Sequence, residues 1–472
     1  MAIDLKNLTI EKAHQAFKSG EFSVRELVDA YLAVIAEKNP RLNAYLEVFD
    51  DIDVQVVRAE KMFADGTVTL LTGIPMAVKD NILIQGHTAS AASKILENYK
   101  APYDATVISK LKEQGAIFLG RTNMDEFAMG SSTQTSAYGV TRNPYDEECV
   151  PGGSSGGSAA ALAADMALAA LGTETCGSVR QPASFCGLVG LKPTYGAVSR
   201  SGIIAMGNSL DQVSPFTKTV RDSEILFEAL AKPDPLDATS VPENLRTVSL
   251  KTIKKIGYTS GFLKDGGLSV EVLENFMAKL KDLESAGYEL VDLDLPTLKY
   301  SLAVYYIIMP AEVSTNLARF DGIRYGHSAS GRDLLEVYTK SRGEGFGREA
   351  RRRILLGTYI LSHGYYDAYY AKAVQVRKKI TEELESAFQS VDLIVTPTTP
   401  TPAFKLGEKM DDPVAMYLCD IFSAPANLAG IPSIAIPSGT TPDGLPLSIQ
   451  FMAPKFCEDR LFMIGKHFTQ ES

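Results

Sequence analysis

The chain of 472 residues is 45% hydrophobic and 22% charged, values typical of a folded globular protein rather than a disordered or fibrous one. Its formal net charge of −10 argues against a broad phosphate-binding surface, because nucleic-acid affinity depends largely on Lys and Arg. The five cysteines show neither metal-ligand nor disulfide spacing, which argues against a zinc site and a disulfide framework and indicates a reducing compartment.

The N-terminal residues carry acidic side chains and lack the apolar core of a signal peptide, so we expect a cytoplasmic protein. The longest apolar stretch, Ala159 to Leu171, is interrupted by Asp165 and is shorter than the roughly 20 residues that span a bilayer. The sequence therefore predicts no transmembrane helix.

An amphipathic helix is predicted from Ser23, which forms a capping box with Glu26 and precedes apolar residues at helical spacing. The Asn39-Pro40 pair is expected to end this helix. Strand-like runs such as "GIPMAVKDN" and "GAIFLGRTN" then alternate with helical segments. This alternation predicts an α/β fold.

Glycine and serine become frequent between residues 143 and 202 while the flanking residues stay apolar, which predicts tight, ordered loops that concentrate function. The Pro-rich stretch that follows, "AKPDPLDATSVPENLR", is interpreted as an excursion within one domain because strand-like and helical patterns resume directly after it. The chain ends on further strand-like runs, among them "VDLIVTPTTP" and "PSIAIPSG".

Lys79 closes the apolar run "PMAV" and precedes an Asp-Asn turn. A lysine at the end of a strand is most often a surface cation, since Lys is seldom fully buried. Burial at this position would lower the pKa of Lys79 toward a value that suits a general base. Both interpretations are compatible with the local sequence.

The segment "PGGSSGGSAAA" places Ser154 and Ser155 at the predicted start of a helix, where backbone N–H groups collect. An anion loop or a helix cap would explain it, although the Gly-Lys-Ser/Thr ending of a P-loop is absent. The G-x-S-x-G pattern around Ser155 is also found in α/β-hydrolases, which need a downstream histidine. Three histidines follow, but none lies in a site-like context: His327, His363 and His467.

The segment "TCGSVRQP" contains Ser178 beside a glycine, and its backbone N–H groups could converge on a developing oxyanion. A simple turn after the strand "ALAALGTET" is the alternative. Cys176 is a second candidate nucleophile, but no histidine is evident that would generate its thiolate.

Together, "GIPMAVKDN", "NMDEFAMGSST", "PGGSSGGSAAALAA" and "LGTETCGSVRQP" resemble the amidase signature family in order and spacing. The resemblance implies one large α/β domain with a central mixed β-sheet flanked by helices on both sides. It implies that Ser178 is the nucleophile, Ser154 a bridging serine in a cis peptide and Lys79 the base, with no metal. The oxyanion hole would consist of the backbone N–H groups of Thr175, Cys176, Gly177 and Ser178.

Later segments, among them "SRGEGFGREARRRILLGTY" and "DIFSAPANLAGIPSIAIPSG", resemble the glutaminase subunits of tRNA-dependent amidotransferases. In that group glutamine is hydrolysed and ammonia passes through a tunnel to a B subunit, which uses ATP and Mg to amidate Glu-tRNA(Gln) or Asp-tRNA(Asn). A small C subunit clasps the pair, the partners hold the tRNA, and the glutaminase chain itself needs no cofactor. Asp125 and Glu126 are candidates for the tunnel mouth.

The resemblance also implies a glutamine pocket, in which Arg353 binds the α-carboxylate, Asp420 the α-ammonium and Tyr305 orients the substrate. A guanidinium and a carboxylate are the partners that a free amino acid requires. The neighbours Arg352 and Tyr306 are alternatives if the register differs by one residue.

The resemblance also implies how the single domain of residues 1–472 is divided. The expected parts are an N-terminal helical segment, a signature core, a mixed excursion with the helical part of the substrate pocket, and a return to the core sheet, at residues 1–65, 66–230, 231–390 and 391–472.

The chain departs from the usual "SDTGGS" pattern of the family at three positions, Thr173, Glu174 and Cys176, and Ser214 stands where glycine is frequent. Cys176 matters most, because a side chain there is strained if the backbone needs a glycine-only conformation. Two other functions therefore remain open, a stand-alone amidase for another small amide and an inactive scaffold protein.

Overall fold

The computed structural model describes residues 3–246 and 252–471, and these ranges contain eleven strands in one sheet and sixteen α-helices. The strands are β1 Tyr45–Val48, β2 Pro75–Lys79, β3 Ile117–Thr122, β4 Ala169–Glu174, β5 Val189–Lys192, β6 Gln212–Thr217, β7 Lys255–Tyr258, β8 Glu289–Asp292, β9 Leu393–Pro397, β10 Ser433–Thr440 and β11 Pro446–Met452. The helices of the first half are α1 Ile10–Ser19, α2 Val24–Leu42, α3 Ile52–Asp65, α4 Thr106–Glu113, α5 Gly156–Ala163, α6 Arg180–Phe185 and α7 Val220–Leu230. Those of the second half are α8 Ser260–Asp265, α9 Val270–Ser285, α10 Ser301–Asn316, α11 Leu334–Gly345, α12 Arg348–Leu361, α13 Lys372–Ala387, α14 Pro413–Tyr417, α15 Ala424–Ala429 and α16 Glu458–Thr469.

The sheet has the order β1-β3-β2-β4-β6-β5-β10-β11-β9-β7-β8 and mixes parallel with antiparallel pairs. β2 runs parallel to both of its neighbours, β3 and β4. Every residue of β2, β4 and β6 is buried, so helices cover both faces of the sheet there, as the apolar strand sequences predict. The predicted α/β fold with a central mixed sheet is confirmed.

The apolar core has two large clusters, one along each half of the sheet. The first surrounds β1 to β4 and β6 and includes Val78 and Val179, whereas the second surrounds β5 and β7 to β11 and includes Cys176 and Tyr305. The segment between β4 and α6 therefore lies where the two halves meet. The strands of both halves belong to one sheet, and the division of the chain into four parts stays a prediction.

The structure confirms the capping box that begins α2, because Ser23 and Glu26 each accept a backbone hydrogen bond from the other. The predicted end of this helix was wrong, since α2 continues through Pro40 to Leu42. A proline in the last turn removes only one hydrogen bond. Asn43 closes the helix instead, in a left-handed conformation whose N–H donates to Asn39 O.

Candidate active site

The topology of the sheet brings three segments that are distant in sequence together at the carboxyl ends of β2 and β4. Lys79 is the last residue of β2, and β4 ends at Glu174, just before the segment that holds Ser178. Because β2 and β4 are parallel neighbours, their carboxyl ends open on the same side of the sheet. Ser154 precedes α5, which packs on both strands.

Lys79 donates to three oxygen atoms. Its Nζ lies 2.8 Å from Ser154 Oγ, 2.8 Å from Ser155 Oγ and 3.1 Å from Thr173 O. Ser155 Oγ also donates to Thr173 O at 3.1 Å, which leaves Ser154 as the hydroxyl that can donate to a neutral amine. The site therefore accommodates Lys79 in both protonation states, as a general base requires.

Lys79 is fully buried, so the interpretation of this residue as a surface cation was wrong. Burial lowers its pKa to about 7, although the negative charges of Asp125, Asp211 and Glu174 act in the opposite direction. Near neutral pH a large fraction of Lys79 is therefore a neutral amine that can accept a proton.

The segment before α5 is fixed against the Ser178 loop by backbone hydrogen bonds. The Gly153–Ser154 peptide is cis, Asp125 N donates to Ser154 O at 3.1 Å, and Ser155 N donates to Ser178 O at 3.2 Å. Ser154 is fully buried and Ser178 retains 7% exposure, so Ser178 is the serine that a substrate can reach.

A buried ion pair that the sequence analysis missed closes the Ser178 loop. Glu174 accepts from Val179 N at 3.1 Å and Arg180 N at 3.0 Å, and from Arg180 Nε at 2.8 Å. Burial alone would raise the pKa of Glu174, but Arg180 outweighs it and the net pKa is lowered. Glu174 thus stays ionised and stabilises a tight loop around Ser178, and the charged ends of "ETCGSVR" in an apolar context were the available signal.

The loop presents unpaired backbone donors. The N–H groups of Cys176, Gly177 and Ser178 donate to no acceptor in residues 3–246 and 252–471. Buried backbone N–H groups are almost always paired, so three consecutive free donors point to a site that receives an anionic oxygen.

Cys176 occupies ordinary backbone space, because it is absent from the residues with positive φ, whereas Gly177 has a φ of +150° that only glycine readily adopts. A Cβ on Gly177 would also lie 2.4 Å from Ser423 Oγ. Burial raises the pKa of the Cys176 thiol well above its usual value, so Cys176 stays protonated and is a poor nucleophile.

Arg353 on α12 is buried, and its Nε donates to Glu349 Oε1 at 2.7 Å. Its guanidinium carbon lies 5.5 Å from the ring centre of Tyr306 and 5.4 Å from that of Tyr417. The alternative Arg352 is more exposed and pairs with the other oxygen of Glu349. Burial therefore favours Arg353 over Arg352 as the cation inside the protein.

Tyr305 and Tyr306 on α10 both face this part of the core, with ring centres 4.9 Å apart. Tyr305 belongs to the same apolar cluster as Cys176, whereas Tyr306 stacks on Tyr417 at 3.8 Å and lies beside Arg353. The structure thus gives the two tyrosines different neighbours, and the orienting role of Tyr305 stays a prediction.

Asp420 connects the Arg353 region with the Ser178 loop. Ser131 Oγ donates to Asp420 Oδ2 at 2.9 Å, and a Cβ built on Gly177 would lie 3.0 Å from Asp420 Oδ1. Burial raises the pKa of Asp420 to about 7, although Ser131 and Arg353 favour the ionised form. A cationic group bound here would return Asp420 to the charged state.

A cavity of about 230 Å³ opens beside Arg353 and Glu349. Its volume is below the roughly 300–1,000 Å³ of drug-sized sites and suits a smaller molecule. Three buried polar atoms of its lining have no hydrogen-bond partner among the described residues: Ser132 Oγ, Gln134 Nε2 and Arg352 Nε. Asp125 lies behind this lining, because it accepts from Ser132 N and Thr135 N, and Glu126 accepts from Gly347 N. Their place at a tunnel mouth stays a prediction.

Comparison of the chain with known proteins identifies its family. The family model described as Amidase matches residues 26–462 of this chain. The chain therefore belongs to the amidase family, as its sequence motifs predict.

Among relatives, the A subunit of the glutamyl-tRNA(Gln) amidotransferase of Desulfatibacillum aliphaticivorans is 48% identical, over 99% of this chain and 97% of its own. The crystal structure of the protein of that name from Thermotoga maritima is 42% identical, covers 100% of this chain and 96% of its own, and gives a TM-score of 0.82. The native peptide amidase of Stenotrophomonas maltophilia is 28% identical, covers 99% of this chain and 97% of its own, and gives a TM-score of 0.81.

Proposed function

We propose that this chain is the glutamine-hydrolysing subunit of a tRNA-dependent amidotransferase. Its curated relatives with that name match along nearly their whole length. The observation that carries the proposal is a buried carboxylate, Asp420, beside the Ser178 loop, together with a buried guanidinium, Arg353, whose charge acts on Asp420. Such a pair of charges suits a free amino acid, which has a carboxylate at one position and an ammonium at another.

The proposed reaction uses Ser178 as the nucleophile. Neutral Lys79 accepts the proton of Ser154, Ser154 accepts the proton of Ser178, and Ser178 Oγ attacks the side-chain amide carbon of glutamine. The resulting oxyanion accepts hydrogen bonds from the backbone N–H groups of Thr175, Cys176, Gly177 and Ser178. The same relay returns a proton to the departing ammonia, and water then hydrolyses the glutamyl ester to glutamate.

The proposed binding mode fixes both ends of the substrate. Arg353 pairs with the α-carboxylate, Asp420 pairs with the α-ammonium, and Tyr305 orients the side chain. Glu349 holds Arg353 through Nε, and the contact of a terminal nitrogen is with a weak acceptor, Met309 Sδ, at 3.5 Å from Nη1. A substrate carboxylate could replace this weak contact. Because each charge is buried, binding of glutamine would neutralise it in place.

The proposed complex contains B and C subunits. The B subunit would bind ATP and Mg, whereas this chain would hold no cofactor. Ammonia released at Ser178 would amidate Glu-tRNA(Gln), with Asp-tRNA(Asn) as a second acceptor. The net charge of −10 supports the assignment of tRNA binding to the partners. No helix in residues 3–246 and 252–471 has the length and apolarity to cross a membrane, and we propose that the complex works in the cytoplasm.

The second candidate is a stand-alone amidase, because a peptide amidase has the same fold. A neutral amide would give Arg353 and Asp420 no charged group to bind beyond their existing contacts with Glu349 and Ser131, so the two buried charges favour glutamine. The inactive scaffold is disfavoured because Lys79 and Ser154 are hydrogen-bonded to each other.

Ammonia release separates the three functions. The chain should be purified alone and with the candidate B and C subunits, and ammonia should be measured with glutamine, asparagine and an aryl amide. We expect release from glutamine, and formation of Gln-tRNA from Glu-tRNA(Gln) when the partners and ATP are present. Turnover of the aryl amide without turnover of glutamine would exclude the amidotransferase.

A further inference from the structure

We propose that Ser423, which lies between α14 and α15, is a positioning residue of the oxyanion hole. Its hydroxyl donates a hydrogen bond to the carbonyl of Cys176. The inference rests on the proposed function, since it assumes that Ser178 attacks an amide carbonyl. It adds a residue from a distant part of the chain that does not itself touch the substrate.

The peptide unit between Cys176 and Gly177 links the Ser423 hydroxyl to the oxyanion donors. This peptide is trans, because the cis bond of the described chain is the one between Gly153 and Ser154. In a planar trans peptide the C=O and N–H groups point in opposite directions. A bond that holds Cys176 O toward Ser423 therefore turns Gly177 N–H away from Ser423, toward the side where it has no acceptor in the described chain.

Close packing surrounds the contact between Ser423 and Cys176, at Gly177 on one side and at Arg180 on the other. Any Cβ at Gly177 would lie 2.4 Å from Ser423 Oγ, so the glycine permits this approach. Ser423 O accepts from Arg180 Nη2 at 2.9 Å, and Arg180 in turn holds Glu174 at the base of the loop. Ser423 thus connects the oxyanion segment with the buried ion pair that closes it.

Ser423 also belongs to the same turn as Asp420. Ser423 N and Oγ both lie within hydrogen-bond distance of Asp420 O, at 3.2 Å and 3.0 Å. A serine in a helical turn often bonds back to the carbonyl three residues earlier, so a purely structural role for its hydroxyl is the competing explanation. Cys176 O has no other donor in the described chain, whereas Asp420 O also accepts from Ser423 N, and this favours the positioning role.

The test compares four versions of the full-length chain in its complex with the partner subunits. Ser423→Ala removes the hydroxyl, and Ser423→Thr keeps it. Ser158→Ala is the matched control, because Ser158 is equally buried and donates to another backbone carbonyl, Leu171 O, at 2.9 Å. The fourth version is the unchanged chain.

We expect Ser423→Ala to lower kcat for glutamine about 30-fold, less than the 10²–10³-fold loss when an oxyanion donor is removed outright. KM should stay within about threefold, because the charges that bind glutamine are unchanged. Ser423→Thr should recover kcat to within about threefold, and Ser158→Ala should match the unchanged chain.

The inhibition constant of a tetrahedral analogue is a measurement that a purely structural role of Ser423 would not change selectively. The boronic acid 2-amino-4-boronobutanoate, which replaces the side-chain amide of glutamine, can form a negatively charged tetrahedral adduct with Ser178 Oγ, whereas the product glutamate does not. Ser423→Ala should raise the inhibition constant of the boronic acid about 30-fold and leave that of glutamate unchanged.

Three results would overturn the proposal: an unchanged kcat in Ser423→Ala, an equal loss of affinity for the boronic acid and glutamate, or a failure of Ser423→Thr to recover activity. If Ser423→Ala does not fold, Ser423→Cys takes its place, since a thiol is only a weak donor. If the unchanged chain hydrolyses another amide but not glutamine, the proposed function fails while the same comparison on that amide tests Ser423. If it hydrolyses no amide, both proposals fail.

Discussion

The site has two ends, a catalytic end around Ser178 and a recognition end around Arg353, and the two are constructed differently. Lys79, Ser154 and Ser178 lie at strand ends and in loops whose positions are fixed by backbone hydrogen bonds. Arg353 and Asp420 lie on helical segments of the second half of the chain, and Arg353 lines a cavity whose lining has unpartnered polar atoms among the described residues. At the first end the side chains of Lys79 and Ser154 are thus bonded to each other, and the free groups are backbone N–H groups of the Ser178 loop. At the second end the groups without a partner among the described residues are side-chain atoms.

The difference matches a division of the reaction into proton transfer at the first end and substrate recognition at the second. A relay must keep its atoms aligned while a proton moves, so it gains from strands and short bonds. A recognition pocket must exchange its partners with solvent in every turnover, so it keeps some polar groups unsatisfied. Variants of the first end should therefore act on kcat, and variants of the second end mainly on KM.

The largest effect is expected from Ser178→Ala. Loss of the nucleophile should lower kcat for glutamine by about 10⁵-fold or more, because residues of such a relay act as a unit. Binding of glutamine measured by calorimetry should persist, since Arg353 and Asp420 are unchanged. Activity that survives in Ser178→Ala and disappears in Cys176→Ala would assign the nucleophile to the thiol.

The next largest effect is expected from Arg353→Met, which keeps an unbranched side chain but removes the charge. The α-carboxylate would lose a buried partner, at a cost of about 3 kcal/mol or a 100-fold rise in KM. Arg352→Met is the control, and its KM should change less than threefold because Arg352 is more exposed. A larger effect of Arg352→Met would shift the carboxylate partner by one residue.

In the unmodified protein, the pH dependence of kcat/KM compared with that of kcat should distinguish the catalytic end from the recognition end. Lys79 must lose its proton and Asp420 must be ionised, and both have a pKa of about 7. Values of kcat/KM should therefore fall about 30-fold from pH 7 to pH 6, approaching a slope of two in a logarithmic plot. The slope for kcat should be one, because bound ammonium keeps Asp420 ionised, and a slope of two for kcat would contradict this assignment.

The smallest effect is expected from Cys176→Gly, which restores the usual residue of the family. Cys176 has no positive φ to relieve, so kcat should change less than threefold. The neighbouring Gly177→Ala should lose most activity, since its φ is +150° and its Cβ would meet Ser423 Oγ. Similar losses in both variants would show that the side chain of Cys176 contributes to the reaction.

Local motifs were sufficient for much of the catalytic end. The strand before Lys79, the glycine-rich start of α5 and the glycine beside Ser178 are short patterns, and each depends on a few adjacent residues. The register of the recognition end was harder to predict. Arg351, Arg352 and Arg353 are identical in type and adjacent in sequence. Which of them is buried depends on the face of α12 that packs against α10.

The α/β class could be predicted from strand periodicity and turn residues, which depend on neighbouring positions, whereas the candidate relay was predicted from the resemblance of the motifs to the amidase signature family. The burial of Lys79, the pairing of Glu174 with Arg180 and the bond from Ser423 to Cys176 are visible in the folded chain and not in the sequence. Desolvation and hydrogen bonding depend on atoms that folding brings together, over a separation of 247 residues in the case of Ser423 and Cys176.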